Sequence, residues 1–399
     1  GQPIPRTVWV LGWVSLCMDT SSELVHSLLP IFITVTLGAS ATALGLIEGV
    51  AESLALVVKV FSGRLSDRLG RRVPLILAGY GLATLVKPLF PLAQSLTAVA
   101  TARWLDRVGK GIRGAPRDAL VADVTPMALR GAAFGLRQSM DTIGAVLGPL
   151  LAIALMWALD GRIRVVLWLA IAPAMLAVWL IVRHVREAPA PTQPTPRSSG
   201  IVTKVLRLPA IRSLPAPYWR LVAVAMVLTL PRISEAFLIL RATQLGAAAA
   251  LAPLVLVCLS LTYTLTAYPA GWLSDRVPRM RMVALGMAVL VIANAMLATA
   301  QGLVQVLFGV GMWGVHLGLT QGVLASRVAD TVPASQRGTG FGVFNLAVGV
   351  AVLLASVGAG VVWDRLGPPT LFVLAGGIAA CGALLVLTLR GDDSHTAMP

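Results

Sequence analysis

The chain has 399 residues, of which 57% are hydrophobic and only 12% charged, with a mean hydropathy of +0.84. A soluble domain carries about 25% charged residues, so this chain has too little polar surface for a water-facing globule, and lipid must cover most of it. The net charge of +15 does not make it a nucleic-acid binder, because basic residues collect in the cytoplasmic loops of membrane proteins and no aromatic residues interleave the basic patches here.

Apolar runs long enough to cross roughly 30 Å of hydrocarbon recur along the chain. They are continuous rather than alternating, which means helices and not a β-barrel. In chain order, twelve spans are predicted near 8–37, 42–65, 73–93, 96–118, 131–158 and 163–183, then 218–241, 249–273, 281–300, 303–326, 337–362 and 368–389. The expected fold class is all-α, with twelve transmembrane helices in two pseudo-symmetric six-helix bundles, 1–185 and 218–399. The linker between them, 186–217, is rich in Pro, Ser and basic residues, with a short amphipathic helix predicted around 201–208 on the membrane surface. No secretory signal is expected, since the first apolar run is too long and lacks a cleavage site. Cys17, Cys258 and Cys381 fall inside apolar runs without metal-type spacing and read as packing residues.

Of the 32 Lys and Arg, 19 fall in segments that would be cytoplasmic if both termini are inside. Four fall on the other side (Arg162, Arg164, Arg241, Arg365) and nine lie within spans. That asymmetry predicts a multi-pass protein of the bacterial inner membrane with both termini cytoplasmic. The halves also repeat. Ala122-Asp123 through Arg130-Gly131 to Phe134-Gly135 returns as Ala329-Asp330, Arg337-Gly338 and Phe341-Gly342, an offset of 207 residues. Gly63-Arg64-Leu65-Ser66-Asp67-Arg68 returns as Gly271-Trp272-Leu273-Ser274-Asp275-Arg276 at an offset of 208. Ser22-Glu23 is echoed more loosely by Ser234-Glu235.

The segment Gly63-Arg64-Leu65-Ser66-Asp67-Arg68-Leu69-Gly70-Arg71-Arg72 matches, at every key position, the signature loop between spans 2 and 3 of the major facilitator superfamily. The chain resembles that superfamily over essentially its full length, and is most similar to its drug:proton antiporter branch. Physically, Gly63 allows a neighbouring helix to come close, Asp67 can accept bonds from a helix N-terminus or an Arg, and Gly70 permits the turn. The resemblance implies that Asp67 latches the cytoplasmic side against span 11 in the outward-open state, with Gly63, Arg68, Gly70 and Arg72 completing the gate. Arg107-Val108-Gly109-Lys110-Gly111 is similar to the branch's fourth-span motif, but Lys110 stands where the family usually has Gln, and Arg113 and Arg117 where it has small residues. Gly144-Ala145-Val146-Leu147-Gly148-Pro149 matches the core of the fifth-span antiporter motif, although Leu151-Ala152 follows where the family has paired Gly. Gly and Pro there imply a bend and a tight helix contact.

Ionisable groups inside spans cost several kcal/mol each unless paired or wet, about 2.5–3.5 kcal/mol even on insertion scales, and default to functional hypotheses. All but Arg232 and Glu235 lie in the first half. Asp19, Glu23 and His26 fall in a narrow arc of span 1, and Arg103 to Arg117 form a basic stripe on span 4. Glu48, Lys59, Lys87, Arg103 and Asp106 read as fixed ion pairs. Asp19 and Glu23, one turn apart, read as proton carriers tuned by Arg107, with Asp141 as a further candidate beside Arg137. His26, Lys110, Arg232, Glu235 and His316 are the substrate-binding candidates, in a site that the resemblance places between spans 1, 4, 7 and 10.

No phosphate-binding Gly-x-x-x-x-Gly-Lys-Ser/Thr loop occurs, so ATP is not the direct energy source. No catalytic constellation is visible, and neither enzyme activity, a cofactor nor a bound metal is expected. The expected function is proton-coupled antiport by alternating access that exports small amphipathic organic compounds, with a monomer, protons, a small-molecule substrate and the bilayer as the participants. The alternatives are proton-coupled import of an anionic metabolite or metal chelate, motivated by the basic stripe, and more remotely a copper importer (Met312 lies one turn before His316) or a sensor without flux.

Overall fold

The computed structural model describes residues 3–187, 214–274, 277–320, 328, 331–332 and 337–388, and among them there is no strand. The first half holds α1 (Arg6–Ile31), α2 (Ala41–Leu69), α3 (Val73–Val86), α4 (Leu89–Leu92), α5 (Leu96–Val124), α6 (Arg130–Ala158), α7 (Ile163–Leu169) and α8 (Ile171–His184). The second holds α9 (Ala216–Thr229), α10 (Glu235–Gln244), α11 (Leu254–Ser274), α12 (Arg279–Thr299), α13 (Leu303–Thr320), α14 (Arg337–Leu366) and α15 (Pro368–Thr388). A helix lies along each of the twelve predicted spans. By length and composition, seven helices among the described residues are apolar enough to cross a membrane. The amphipathic helix predicted at 201–208 and the Asp275–Arg276 and Asp330 repeat positions lie outside the described residues.

Among the described residues, spans 3, 6 and 7 are each interrupted, and the seventh departs most from the run predicted at 218–241. There α9 ends at Thr229 and α10 restarts at Glu235. Pro231 has no N–H to continue the ladder, and the Ser234 hydroxyl caps the new helix by accepting from the Ala236 N–H at 3.3 Å. Span 3 breaks at Lys87-Pro88 between α3 and α4, and span 6 between α7 and α8.

The chain packs as two compact units. One comprises Gly1–Ala39, Val50–Arg207 and Ala249–Leu254; the other comprises Ser40–Gly49, Leu208–Ala248 and Val255–Pro399. In the first unit, Val8, Leu11 and Val14 of α1, Tyr80 of α3, Leu120 of α5, Ala133 of α6 and Ala177 of α8 share one buried cluster. The helix α5 is fitted to its neighbours through small residues. A Cβ on Gly79 of α3 would sit 2.6 Å from the Gly109 carbonyl oxygen, one on Gly111 2.9 Å from that of Ala55 in α2, and one on Gly63 3.1 Å from Ala115 Cβ. Such close backbone approach is the usual source of helix association where lipid removes the hydrophobic drive. Gly70 makes the α2–α3 turn with φ +60°, and Arg72 just beyond it bonds Ser66 at 2.8 Å, Asp67, and Asp123 at 3.2 Å. Glu187 caps α3 by accepting from the backbone N–H groups of Arg72 and Val73.

In the second unit, the opening turns of α2 pack on α14. The Asp364 carboxylate accepts from the N–H of Ala41 (3.1 Å), the N–H of Thr42 (2.8 Å) and the Thr42 hydroxyl (2.6 Å). A Cβ on Gly49 would lie 3.0 Å from Ser356 Cβ and 3.2 Å from Leu353 Cα. Two of the four basic residues assigned to the arginine-poor side serve helix ends. Arg164 donates to the carbonyls of Pro91 (2.7 Å) and Ala93 (2.8 Å) and lies over the Phe32 ring, while Arg241 donates to those of Leu297 (3.1 Å), Ala298 (3.3 Å) and Ala300 (3.1 Å). Both satisfy last-turn carbonyls that no intrahelical N–H can reach.

Candidate functional site

Most of α1 is buried, and its accessible positions run as one stripe through Trp9, Trp13, Leu16, Asp19 and Glu23. The side chains of Asp19 and Glu23 are each 22% exposed, so both carboxylates can be reached from outside the packed core. Glu23 pairs at 3.3 Å with Nδ1 of His26, three residues on. Asp19 lies 3.7 Å from the Arg113 guanidinium of α5, which stacks over the Tyr80 ring at 4.4 Å.

The basic stripe of α5 does not meet one acidic stripe; it distributes its charges to four neighbouring elements. Arg103 and Arg107 both reach Glu52 of α2, at 3.8 and 3.4 Å. Lys87, at the α3–α4 break, donates to Asp106 (3.0 Å) and Ser22 (3.1 Å) in surroundings that leave it 1% exposed. Arg113 goes to Asp19 of α1. Arg117 bonds Ser15 (2.8 Å) and lies 3.6 Å from Asp141 of α6, whose other oxygen takes Arg137 at 2.6 Å. Asp118 closes the cluster, 3.5 Å from Arg117 and 3.6 Å from Arg137. Lys110 stands apart: it is exposed and makes no hydrogen bond or ion pair among the described residues, although Asp19, Glu23 and Glu52 are near enough to act on it electrostatically.

The structure therefore brings Asp19, Glu23, His26, Lys110 and Asp141 onto neighbouring faces of α1, α5 and α6. Arg107 reaches Glu52 and comes within 4.0 Å of Asp106, while the cation on Asp19 is Arg113. Arg113, Tyr80, Ser15 and Glu52 are absent from the residues proposed on sequence grounds. The signal available for Arg113 was its departure from the small residue usual in the fourth-span motif; Tyr80 and Ser15 carried none. Gly144 and Gly148 of α6 lie directly against α1, with Pro149 following. Of the loop residues, Asp67 is held by Arg72, and its side chain is 70% exposed.

In the second unit, the break at 230–234 places the half-buried Arg232 just before α10, and Glu235 opens the new helix. Arg232 acts electrostatically on Glu235, on Tyr263 of α11 and on His316 of α13. His316 is fully buried. Its Nδ1–H donates to the Gly286 carbonyl at 2.8 Å, and Nε2 has no hydrogen-bond partner among the described residues. No group of three or more His, Cys, Asp or Glu suited to a metal ion occurs among the described residues.

Comparison with known proteins identifies the same class of molecule. The sequence profile of the Major Facilitator Superfamily matches residues 11–239 and 232–398. An uncharacterized MFS-type transporter of Methanocaldococcus jannaschii is 28% identical over 392 residues, covering 97% of this chain and 95% of that one. The inner membrane transport protein YajR of Escherichia coli is 24% identical over 371 residues, with 87% and 75% of the two chains covered. Among solved structures, a POT family transporter in complex with 5-aminolevulinic acid superposes with a TM-score of 0.81 at 14% identity, covering 98% of this chain and 97% of that one, which shows a shared fold.

Proposed function

Because the chain belongs to the major facilitator superfamily, a family of membrane transporters and not of enzymes, we propose that it couples proton movement to alternating access and exports small amphipathic organic compounds. The observation that carries this reading is the pair Asp19 and Glu23: two carboxylates one turn apart inside a membrane span, both partly accessible. Glu23 is paired with His26 of the same helix at 3.3 Å. Asp19 faces a guanidinium at 3.7 Å, close enough to stabilise its charge and far enough to let go when a proton neutralises it. A proton taken up from one side and released to the other then changes which cations the α1 face holds, and that is the differential interaction needed to bias one conformation over another. Asp141 serves as a second acid, and Arg107 sets the field around Glu52 and Glu23. The signature loop acts as the gate, with Gly63, Asp67, Arg68, Gly70 and Arg72 at its centre, in an inner membrane with both termini cytoplasmic.

Substrate contacts fall to His26 and Lys110 in the first unit, and to Arg232, Glu235 and His316 in the second. The broken seventh span supports this assignment, since interrupted helices at membrane depth free backbone groups for a ligand. Proteoliposomes loaded with a pH-sensitive dye and challenged with ethidium across an imposed pH gradient test the coupling. Dye-reported proton flux is expected to rise with the amphipathic cation and to disappear in Glu23→Gln or Asp19→Asn. Substrate flux that ignores the gradient sinks the reading. Lys110, exposed beside the paired arginines of α5 and without an ion pair among the described residues, favours a second reading: uptake of an anionic metabolite or chelate. Accumulation of a labelled organic anion under an inward proton gradient, lost in Lys110→Gln, distinguishes the two.

A further inference from the structure

The helices α1 and α6 run parallel, and their seam is matched turn for turn. A Cβ at Gly144 would stand 2.8 Å from the Leu16 carbonyl oxygen, 3.0 Å from Asp19 Cβ and 3.2 Å from the Thr20 nitrogen. One turn on, a Cβ at Gly148 would stand 2.6 Å from the Thr20 carbonyl oxygen, 2.8 Å from the Leu24 nitrogen and 2.9 Å from Glu23 Cβ. One turn earlier the roles reverse: a Cβ on Gly12 of α1 would meet the Met140 side chain alone, its Cγ at 3.1 Å and its Cβ at an ordinary 3.7 Å. The first two contacts are with backbone and with Cβ atoms, which cannot swing aside; the third is with a flexible side chain. Asp19 thus sits over Gly144, and Glu23 over Gly148.

We propose that Gly144 and Gly148 are positioning residues for the two membrane carboxylates: each glycine is the seat that fixes where one acid stands. The proposal rests on the reading of Asp19 and Glu23 as functional groups, and it assigns the fifth-span glycines a duty beyond the bend and tight contact their motif implies. Adding one methyl forces α1 outward by roughly 0.5–1 Å to recover ordinary contact distances of about 3.5–4.0 Å. At Gly144 that displacement acts on the 3.7 Å approach of Asp19 to Arg113. It also acts on the distance from Asp19 to Asp141, which lies on the same helix three residues before the glycine. At Gly148 it acts on Glu23 and, through it, on His26. Neither change removes a charged group.

The test uses the full chain with Cys17, Cys258 and Cys381 replaced by Ser, carrying Asp19→Cys or Glu23→Cys, in native membranes. N-ethylmaleimide labelling then reads the position of each site without requiring transport. Gly144→Ala is expected to change the labelling rate of Asp19→Cys at least threefold with a smaller effect on Glu23→Cys. Gly148→Ala is expected to do the reverse, and Gly12→Ala to leave both within twofold. Unchanged rates in folded Gly144→Ala and Gly148→Ala proteins overturn the proposal, as does an equal effect from Gly12→Ala. Should an alanine variant fail to fold, oxidation of paired cysteines decides: Asp19→Cys with Gly144→Cys, and Glu23→Cys with Gly148→Cys, are expected to lose maleimide reactivity on oxidation, whereas Asp19→Cys with Gly148→Cys keeps it. Matched pairs that fail to cross-link count against the seats. A parallel pH profile of flux speaks to the coupling: parent protein with a flat profile but glycine-sensitive labelling refutes the proton reading and leaves the positioning role standing.

Discussion

The Lys87–Asp106 pair is the clearest place to ask whether a buried charge in this protein is structural. The two side chains are 1% and 5% exposed and 3.0 Å apart, Ser22 takes a second proton of the ammonium, and Phe90 lies beneath it. The replacement Lys87→Met leaves Asp106 with Arg107 Nε at 4.0 Å as its nearest remaining cation, and Arg107 is already shared with Glu52. Breaking a buried pair costs about 3–5 kcal/mol because the orphaned charge stays behind, whereas replacing both partners with apolar groups is often neutral or stabilising. Lys87→Met and Asp106→Leu are therefore each expected to cost about 3 kcal/mol or more, roughly a hundredfold in the folded-to-unfolded ratio. The double variant is expected within about 1 kcal/mol of the parent. Equilibrium unfolding in mixed micelles, followed by tryptophan fluorescence, gives all four corners of the cycle. A coupling energy near 0.6 kcal/mol, the average for hydrogen bonds between membrane helices, refutes the reasoning and makes the pair no more than an ordinary polar contact.

Substitutions at three further positions separate capping from bulk charge. Asp364→Ala removes the acceptor for two N–H groups and a hydroxyl at the start of α2, so it is expected to lower stability by about 1 kcal/mol, with Asp364→Asn retaining most of it, as read by thermal unfolding in detergent. Arg241→Leu strips three carbonyls of their donor and is expected to cost about 1.5–3 kcal/mol. Arg162→Leu, at an exposed position on the same predicted side, should stay within about 0.5 kcal/mol. Equal effects of the two arginine changes would mean that charge on that side, and not helix capping, is what matters.

The sequence already carried the helical class and the approximate spans, because continuous apolar runs and breaker clusters are one-dimensional signals. It also carried the close approach at Gly63, the turn at Gly70 and the Arg137–Asp141 pair, which is fixed by helical spacing alone. The break in span 7 was written there too, in Pro231 and in Ser234 before Glu235, but hydrophobicity flows through those positions and hid it. Partner choice was harder to read. Arg107 and Arg113 share the stripe of α5, and six residues of helix separate them by about 9 Å along the axis; which depth meets Asp19 depends on how α1 and α5 dock. Tyr80 and Ser15 look like any core aromatic and any small residue until packing gives them Arg113 and Arg117 as neighbours. Asp364 drew no notice in the sequence, since nothing local marks a carboxylate that caps a helix 322 residues away.

That cap has a consequence for biogenesis. At about 5–20 residues per second, the ribosome reaches Asp364 some 15–60 s after it has made Thr42. Throughout that interval the first turns of α2 are inserted without the acceptor that satisfies their N–H groups and without the α14 surface that fits Gly49. Nascent chains stalled before Asp364 should therefore stay sensitive to probes of that helix start long after the first unit has become protected, and assembly of this protein closes with one of its earliest segments.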